Sequence, residues 1–365
     1  MLIKFAVTNY RGFPERIELD LSHPREYEFN SNAIKNGIIK NGIIYGPNGS
    51  GKSNFSLAIF DVVNHLTQKW KKPDYYENFA FAGNQTSPVC FEYTFQFDNV
   101  LLHYTYSKDI RGILQSEELF ADDKVVFRKT ANRFELDGSF PMEEKVKQSI
   151  KNNANSISVA SYLWASFPLE ENHYLLQLQN FVNSMLWFRC LEYREFIGLE
   201  NNTSILDEYI IKNNLIKDFA SFLKDVSEQT FDFVPPQPND NQLFCYIKGK
   251  PVHFNSIAST GTHSLTLLYY WITKMKGTSF VFIDEFDAFY HFKLSFEICK
   301  RLFGLDCQVF LSSHNTYLMT NDLLRPDCNF ILDNNKIKPL CDCTEKDLRF
   351  GHNIEKLFRG GTFEI

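Results

Sequence analysis

An α/β fold carrying an antiparallel β subdomain and a helical insertion is the architecture that this 365-residue sequence predicts. Three observations lead there. Gly46-Pro47-Asn48-Gly49-Ser50-Gly51-Lys52-Ser53 lies between an apolar strand-like run, Ile43 to Tyr45, and a helix-like run, Phe55 to Val63. Phe280-Val281-Phe282-Ile283-Asp284-Glu285 is a continuous apolar run ending in two carboxylates, the pattern of a buried parallel strand. Between these two stretches the periodicity turns from alternating to helical and then back to α/β.

Bulk properties set the limits. The length suits two ordinary domains or one large domain with an insertion. Hydrophobic residues make up 44% and charged residues 22%, near globular averages, and 36 Phe with 17 Tyr supply many aromatic side chains for packing, so disorder is excluded. A formal charge of −6 argues against a chain that is basic all over. The stretch Lys69 to Lys72 reads as a solvated face, with contact to a phosphate backbone as the alternative. Eight Cys without a C-x-x-C pair, and no secretory segment, read as reduced core thiols. No run of 18 apolar residues occurs, so no membrane span is expected and the expected compartment is the cytoplasm.

Along the chain, Met1 to Phe5 and Gly42 to Tyr45 read as strands, and with the helix that begins near Lys52 they suggest half of a βαβ unit. From Val89 to Phe140 the alternation of Phe91, Tyr93, Phe95 and Phe97, then Leu102, Tyr104 and Tyr106, predicts an antiparallel sheet with a turn at Asp137-Gly138. Residues 141–229 carry helical spacing from Leu175 to Leu186 and from Ile205 to Val226, and lack sustained heptads, so they predict a lobe and not a rod. Its aromatics Tyr162, Trp164, Phe167, Trp187, Phe188, Tyr193 and Phe196 suit internal packing or a partner surface. The turn-rich run Pro235 to Asn241 separates two strands expected to pair, Phe231 to Val234 and Leu243 to Ile247. A helix from Leu265, the strand Ser279 to Ile283, a helix near Ser295 to Phe303 and the strand Gln308 to Ser312 follow. The expected division is therefore 1–140, 141–229 and 230–365.

The chemistry sits in two of these segments. G-x-x-x-x-G-K-S after a strand and before a helix is a phosphate-binding loop: glycines let backbone N–H groups turn inward as an anion nest, and the helix points its positive end at the phosphates. Lys52 suits the β and γ phosphates and Ser53 suits Mg²⁺. Asp284 would hold the Mg²⁺ through its water shell, and Glu285 would polarise the attacking water. A further apolar strand, Val309 to Leu311, ends at Ser312-Ser313-His314-Asn315, which places His314 at a strand end in the same half of the fold.

The order phosphate loop, long insertion, Ser259-Thr260-Gly261-Thr262, Asp284-Glu285 and Ser313-His314-Asn315 resembles the ABC-type ATPase core of chromosome-maintenance, break-repair, RecF-like and OLD-like proteins. That resemblance covers both ends of the chain but not the insertion. It implies a P-loop NTPase with an ABC-ATPase-like head, a mixed sheet plus antiparallel β subdomain, that binds ATP and Mg²⁺ and works as a head-to-tail homodimer. It further implies that Asn48, Gly49, Ser50, Gly51, Lys52 and Ser53 line the phosphates, and that Arg11, in Asn9-Tyr10-Arg11-Gly12-Phe13, lies by the nucleotide. Ser259 and Gly261 resemble the signature loop that meets the γ phosphate held by the other subunit. His314 resembles the switch histidine, Asp287 the loop coupling the two sites, and Glu285 the catalytic glutamate. One family feature is missing: Ser156 to Phe167, where a Gln-bearing loop is expected, contains no Gln, and neither Gln177 nor Gln179 is a clear substitute.

More narrowly, Leu348 to Phe358 and the tail Arg359 to Phe363 are similar to the ends of compact bacterial abortive-infection, RloA-like ATPases, which implies a defence role with a separately encoded nuclease or toxin as effector. The roughly 50 residues after His314 are too few for a Toprim nuclease domain of the OLD type. Three other readings stay open: an ATPase that clamps DNA in repair or chromosome maintenance, a non-catalytic nucleotide-dependent scaffold, and a transporter ATPase. A basic groove would favour the clamp, and the intact acid pair argues against the scaffold.

Overall fold

The computed structural model describes residues 1–67, 69, 73–152, 158–189, 196–199, 206–237 and 240–364. Among them the larger sheets are two, each of seven strands. One is antiparallel throughout, in the order Phe134–Leu136, Lys124–Lys129, Leu114–Ala121, Val100–Lys108, Val89–Phe97, Leu2–Thr8, Ile17–Asp20. The other runs Phe196–Gly198, Leu186–Arg189, Phe280–Asp284, Gln308–Ser313, Asn41–Tyr45, Asn329–Asp333, Lys336–Pro339, with its five central strands parallel and both edge strands antiparallel.

The residue pattern explains this partition. Asn41–Tyr45, Phe280–Asp284 and Gln308–Ser313 are buried at every position, as strands covered on both faces must be. Val89–Phe97 alternates buried and half-buried residues, with one face in the core. The helix Lys52–Ile59 lies between the sheets and ties them together. Phe55 meets Phe5 of the antiparallel sheet with ring centroids 5.5 Å apart, and the Tyr93 hydroxyl donates to the Ala58 carbonyl at 3.1 Å. On the other side the Trp187 indole N–H donates to Ser56 Oγ at 2.9 Å.

Several expectations change. The opening strand does not join the phosphate-loop strand in a βαβ unit: Leu2–Thr8 pairs antiparallel with Val89–Phe97, Phe5 opposite Tyr93. Strand partnership is a non-local property, and the rings of Phe55 and Tyr93 around Phe5 decide it. The helix expected over Phe55 to Val63 breaks at Phe60 into Lys52–Ile59 and Asp61–Leu66. Residues 141–229 do contain the helices Glu144–Asn152, Val159–Ser166, Tyr174–Asn183, Leu206–Lys212 and Ile216–Ser227. Leu186–Arg189, however, is a strand of the parallel sheet, because a short buried apolar run has no periodicity to tell strand from helix end. Phe231 to Val234 does pair with the Leu243 to Ile247 segment, through an antiparallel bridge at Phe233 and Cys245 flanked by hydrogen bonds from the Val234 N–H to the Phe244 carbonyl and from the Tyr246 N–H to the Asp232 carbonyl, each 2.8 Å, and Phe244–Ile247 forms a further hairpin with Lys250–His253.

The insertion's aromatics turn inward: Phe188 and Phe196 pack on Trp271 at 5.5 and 5.3 Å, and Tyr162, Trp164 and Phe167 lie against the core. Tyr193 lies outside the described residues, as do Trp70, Lys71 and Lys72 of the basic stretch. The described cysteines are free thiols, all buried except Cys90. No helix among the described residues is long and apolar enough to cross a membrane.

Beneath the Asp61–Leu66 helix the antiparallel sheet holds buried charge. Asp61 Oδ2 accepts from Lys108 Nζ and the Tyr106 hydroxyl, each at 2.7 Å. Glu117 accepts from the Tyr104 hydroxyl, Ser158 Oγ and the backbone N–H of Val159 at 2.8, 2.8 and 2.7 Å, anchoring the start of the Val159–Ser166 helix. His65 stacks on Tyr106 at 4.0 Å, with Nε2 3.9 Å from Glu117, too far for a hydrogen bond. Burial holds the His65 imidazole below its ordinary value of 6.5. Burial alone would raise Glu117, but His65, Val159 N–H and the Ser158 hydroxyl outweigh it and hold the carboxyl below 4.5.

A lowered histidine favours the folded state fully above 6.5 and loses that advantage as pH falls through it, whereas the depressed Glu117 contributes above 4.5 and fails only at lower pH. Urea unfolding should therefore show stability falling from about pH 7 to pH 5. In His65→Gln that slope should become shallower, the remainder belonging to His173, which burial also holds below 6.5, and the loss below pH 4.5 should shrink as well, because His65 is a main cause of the depressed Glu117 carboxyl; an unchanged slope would assign the titration elsewhere.

Candidate functional site at the parallel strand ends

The strand order brings three strand ends together. Gln308–Ser313 lies between the phosphate-loop strand Asn41–Tyr45 and the acidic strand Phe280–Asp284, so the segment carrying His314 emerges between the loop and the carboxylates. The loop turns through left-handed backbone at Gly49 and Gly51, with φ of 80° and 99°. A Cβ at Gly51 would stand 2.7 Å from the Phe13 ring, and one at Gly46 only 2.3 Å from the Leu332 carbonyl oxygen. Asn48 and Gly49 form the exposed tip, while Ser50 Oγ is enclosed without a hydrogen-bond partner. Lys52 is buried; its Nζ donates to the carbonyls of Gly46 and Pro47 at 2.8 and 3.1 Å and stands 3.4 Å from His314 Nδ1. Burial lowers its pKa, and Asp284 and Glu285 pull the other way.

The acidic pair is held by Ser312 and Arg189. Asp284, fully buried, accepts from Ser312 Oγ at 2.6 Å on Oδ1, and on Oδ2 from Arg189 Nε and Nη2 at 3.1 and 2.6 Å. The same Ser312 Oγ accepts from the backbone N–H of Glu285 at 2.7 Å, pinning a residue whose φ is 49°. That left-handed backbone ends the strand directly after Asp284. Asp287 accepts from Ser313 Oγ at 2.7 Å, and Ser313 Oγ in turn accepts from the N–H of Asn315, so the loops of Asp287 and His314 are stitched together. Burial raises the Asp287 carboxyl above its ordinary value, with the Ser313 hydrogen bond opposing.

Arg11 sits in a tight turn closed by reciprocal backbone hydrogen bonds between Tyr10 and Phe13. Its guanidinium donates to Asn54 Oδ1 at 3.2 Å and to the Tyr75 carbonyl at 3.3 Å, and lies over the Tyr10 and Tyr75 rings. With Ser53, Asn54, Trp187 and Arg189 it lines a cavity of about 350 Å³ beside the loop. Lys52, Ser53, Asp284, Glu285, His314 and Arg11 are thus gathered on one edge of the fold.

Ser259 and Gly261 are placed differently. Ser259 caps the helix Thr260–Lys274, accepting from Thr262 N–H at 3.2 Å, and a Cβ on Gly261 would be 3.2 Å from the Phe289 carbonyl oxygen. They border the far side of the Asp287 loop and carry a helix N-terminus of their own.

Gln177 is not at this edge: its amide donates to Asp98 and to the Asn172 carbonyl. Residues 156 and 157 of the stretch searched for a Gln-bearing loop lie outside the described residues. Sequence reasoning missed Arg189, Ser312 and Asn54. Arg189 carried no local signal of function, since an arginine at the end of a short apolar run gains one only from the strand set beside it.

The site's chemistry fits a nucleotide with Mg²⁺. The nest of loop amides, the enclosed Ser50 hydroxyl and the Lys52 ammonium suit phosphate oxygens. The Ser53 hydroxyl and the Asp284 carboxylate are hard oxygen ligands of the kind Mg²⁺ takes alongside substrate phosphates and water.

The model of the family described as "AAA domain, putative AbiEii toxin, Type IV TA system" matches residues 43–320. The chain is similar to the solved SMC head bound to the C-winged helix domain of ScpA, at 13% identity and a TM-score of 0.47, over 92% of this chain and 96% of that one. It is similar to the SMC head domain from Thermotoga maritima at 14% identity and a TM-score of 0.43, over 92% and 97% of the two chains. For the recombination mediator RecF of the RecFOR pathway the values are 12% and 0.40, over 93% and 98%. No curated protein matches the chain.

Ser312 supports both carboxylate residues through one hydroxyl, so Ser312→Ala should remove about 1–3 kcal/mol of stability, the cost of leaving a buried charged acceptor one partner short. Urea unfolding measures it, and Ser312→Thr, which keeps the hydroxyl, should recover most of the loss.

Proposed function

The chain belongs to the "AAA domain, putative AbiEii toxin, Type IV TA system" family, and from that membership and the geometry of the strand edge we propose that it is a Mg²⁺-dependent ATPase whose copies pair head to tail on ATP. The observation that carries the proposal is the convergence of Lys52, His314 and the Asp284-Glu285 pair on three neighbouring parallel strand ends. In this reading residues 1–140 and 230–365 form the head and 141–229 the insertion.

The loop amides and Lys52 hold the β and γ phosphates. Lys52 exchanges its contacts with the Gly46 and Pro47 carbonyls for phosphate oxygens, a charge-assisted gain. The Ser53 hydroxyl and the Asp284 carboxylate would hold Mg²⁺, and the ion would offset the charge that accumulates as the terminal phosphoryl group leaves. Glu285, on left-handed backbone directly after the strand, takes a proton from the attacking water as general base. His314 senses the γ phosphate beside Lys52. Ser259 and the Gly261 amide act on the γ phosphate of the partner copy, and Asp287, stitched to Ser313, relays between the sites.

Defence is the biological setting we propose. The family description and the C-terminal resemblance support it, with a separately encoded nuclease or toxin as the effector and the cytoplasm as the compartment. The ATPase is then the sensor that holds or releases the effector according to nucleotide state.

Lys52→Ala should weaken ATP binding by roughly 10-fold to 100-fold, the worth of a lost charge-assisted contact. Glu285→Gln should bind ATP normally, hydrolyse it at least ~100-fold more slowly and accumulate as a dimer on size-exclusion chromatography with light scattering. Normal hydrolysis by Glu285→Gln would remove Glu285 from the mechanism. Capture with the Glu285→Gln protein and ATP from the native host should recover a nuclease or toxin; recovery of DNA alone would replace the defence reading with a DNA clamp.

A further inference from the structure

Arg189 has no part in the proposed mechanism, yet it sits directly opposite Asp284 in the parallel ladder and places two donors on a single carboxylate oxygen. Asp284 is completely buried, and a buried carboxylate has to be answered by hydrogen-bond donors, a cation or both. Lys52 is committed to the carbonyls of Gly46 and Pro47, so the guanidinium is the cation in contact with Asp284. The carboxylate that the ATPase reading gives to the metal is therefore already neutralised by the protein.

Two cations cannot share it on equal terms. Oδ2 is filled by Nε and Nη2, Oδ1 already accepts from Ser312, and a divalent ion brought beside the guanidinium meets strong repulsion in a poorly screened site. Arg189 has somewhere to go. Its side chain keeps 24% of its exposure and lines the cavity of about 350 Å³ that Ser53, Asn54 and Arg11 also line. Asp74 lines this cavity too, but two arginines and a hydroxyl outweigh its carboxylate and suit anionic oxygens, for which the guanidinium fork is well shaped.

We propose that Arg189 and Mg²⁺ are alternative counter-ions of Asp284: the guanidinium holds the carboxylate until metal and nucleotide arrive, then moves into the adjoining cavity beside Arg11 to hold phosphate oxygens. The inference rests on the ATPase reading and adds a residue to it. Nucleotide binding without metal thus leaves the Arg189–Asp284 pair closed, and metal binding opens it.

The test compares wild type, Arg189→Ala and Arg189→Lys. Mn²⁺ binding is followed by electron paramagnetic resonance without nucleotide, where Arg189 has no phosphate to hold, binding of a non-hydrolysable ATP analogue is followed separately by calorimetry, and thermal unfolding is followed with EDTA or with Mg²⁺ alone. Removing a competing cation should tighten Mn²⁺ binding by about fivefold or more in Arg189→Ala, the scale of a typical coupling between two ligands. Arg189→Lys, which keeps the charge but not the fork, should fall between Arg189→Ala and wild type. The melting temperature of Arg189→Ala should drop in EDTA and recover with Mg²⁺ by more than wild type gains. If Arg189 only positions Asp284, both variants bind Mn²⁺ as weakly as wild type or more weakly and Mg²⁺ restores nothing, which overturns the proposal. Should Arg189→Ala not fold, the Arg189→Lys comparison decides alone. Loss of analogue binding in wild type, or its persistence in Lys52→Ala, would instead sink the ATPase reading, so the two failures are distinguishable.

Discussion

The buried carboxylate of Asp284 is the constraint around which this site is arranged. A charge with no exposure has to be answered by groups that stay in place, and the answers come from two flanking strands: Ser312 on one side and Arg189 on the other. Their hydrogen bonds require the parallel register that sets Arg189 beside Asp284 and Ile283 beside Leu311. A shift of one residue would turn these side chains to the opposite faces and leave the charge alone. The register of the sheet and the electrostatics of the site are thus one requirement.

The same economy extends outward. Ser312 serves both acids, and Ser313 joins Asp287 to Asn315, so consecutive hydroxyls at one strand end organise the loops on either side. The phosphate loop is fixed from behind by Phe13 and by the carbonyl of Leu332, contacts that leave no room for a side chain at Gly51 or Gly46. Its helix is clamped between Phe5 and Tyr93 of one sheet and Trp187 of the other. In the proposed mechanism this rigidity matters because phosphoryl transfer depends on positioning more than on covalent chemistry from the protein.

The antiparallel sheet, remote from the phosphate loop tip, carries a second set of buried charges that lock it to two helices. Asp61 answers Lys108 and Tyr106 through Oδ2 alone, its Oδ1 being buried without a partner, and Glu117 is satisfied by Tyr104 and the start of the Val159–Ser166 helix. These contacts tie the strands Val100–Lys108 and Leu114–Ala121, the Asp61–Leu66 helix and the first part of the insertion into one packed unit. The insertion also gives Leu186–Arg189 to the parallel sheet, so it supplies both a wall of the head and a residue that touches the acidic pair.

Local chemistry made much of this readable in the amino-acid order alone. The glycine pattern of residues 46–53, the apolar run before Asp284 and the alternation from Val89 to Phe97 each carry their structural meaning within a few residues, because turn geometry, double-sided burial and a single buried face act locally. Which strands became neighbours was decided only in three dimensions. Leu2–Thr8 joined the antiparallel sheet and Leu186–Arg189 the parallel one, since pairing depends on side chains such as Tyr93, Phe55 and Trp271 that are far away in sequence. Arg189 stayed hidden for the same reason. An arginine at the end of a short apolar run has no local mark of function, and it gains one only when the sheet sets it against a buried aspartate that has to be answered by donors or a cation.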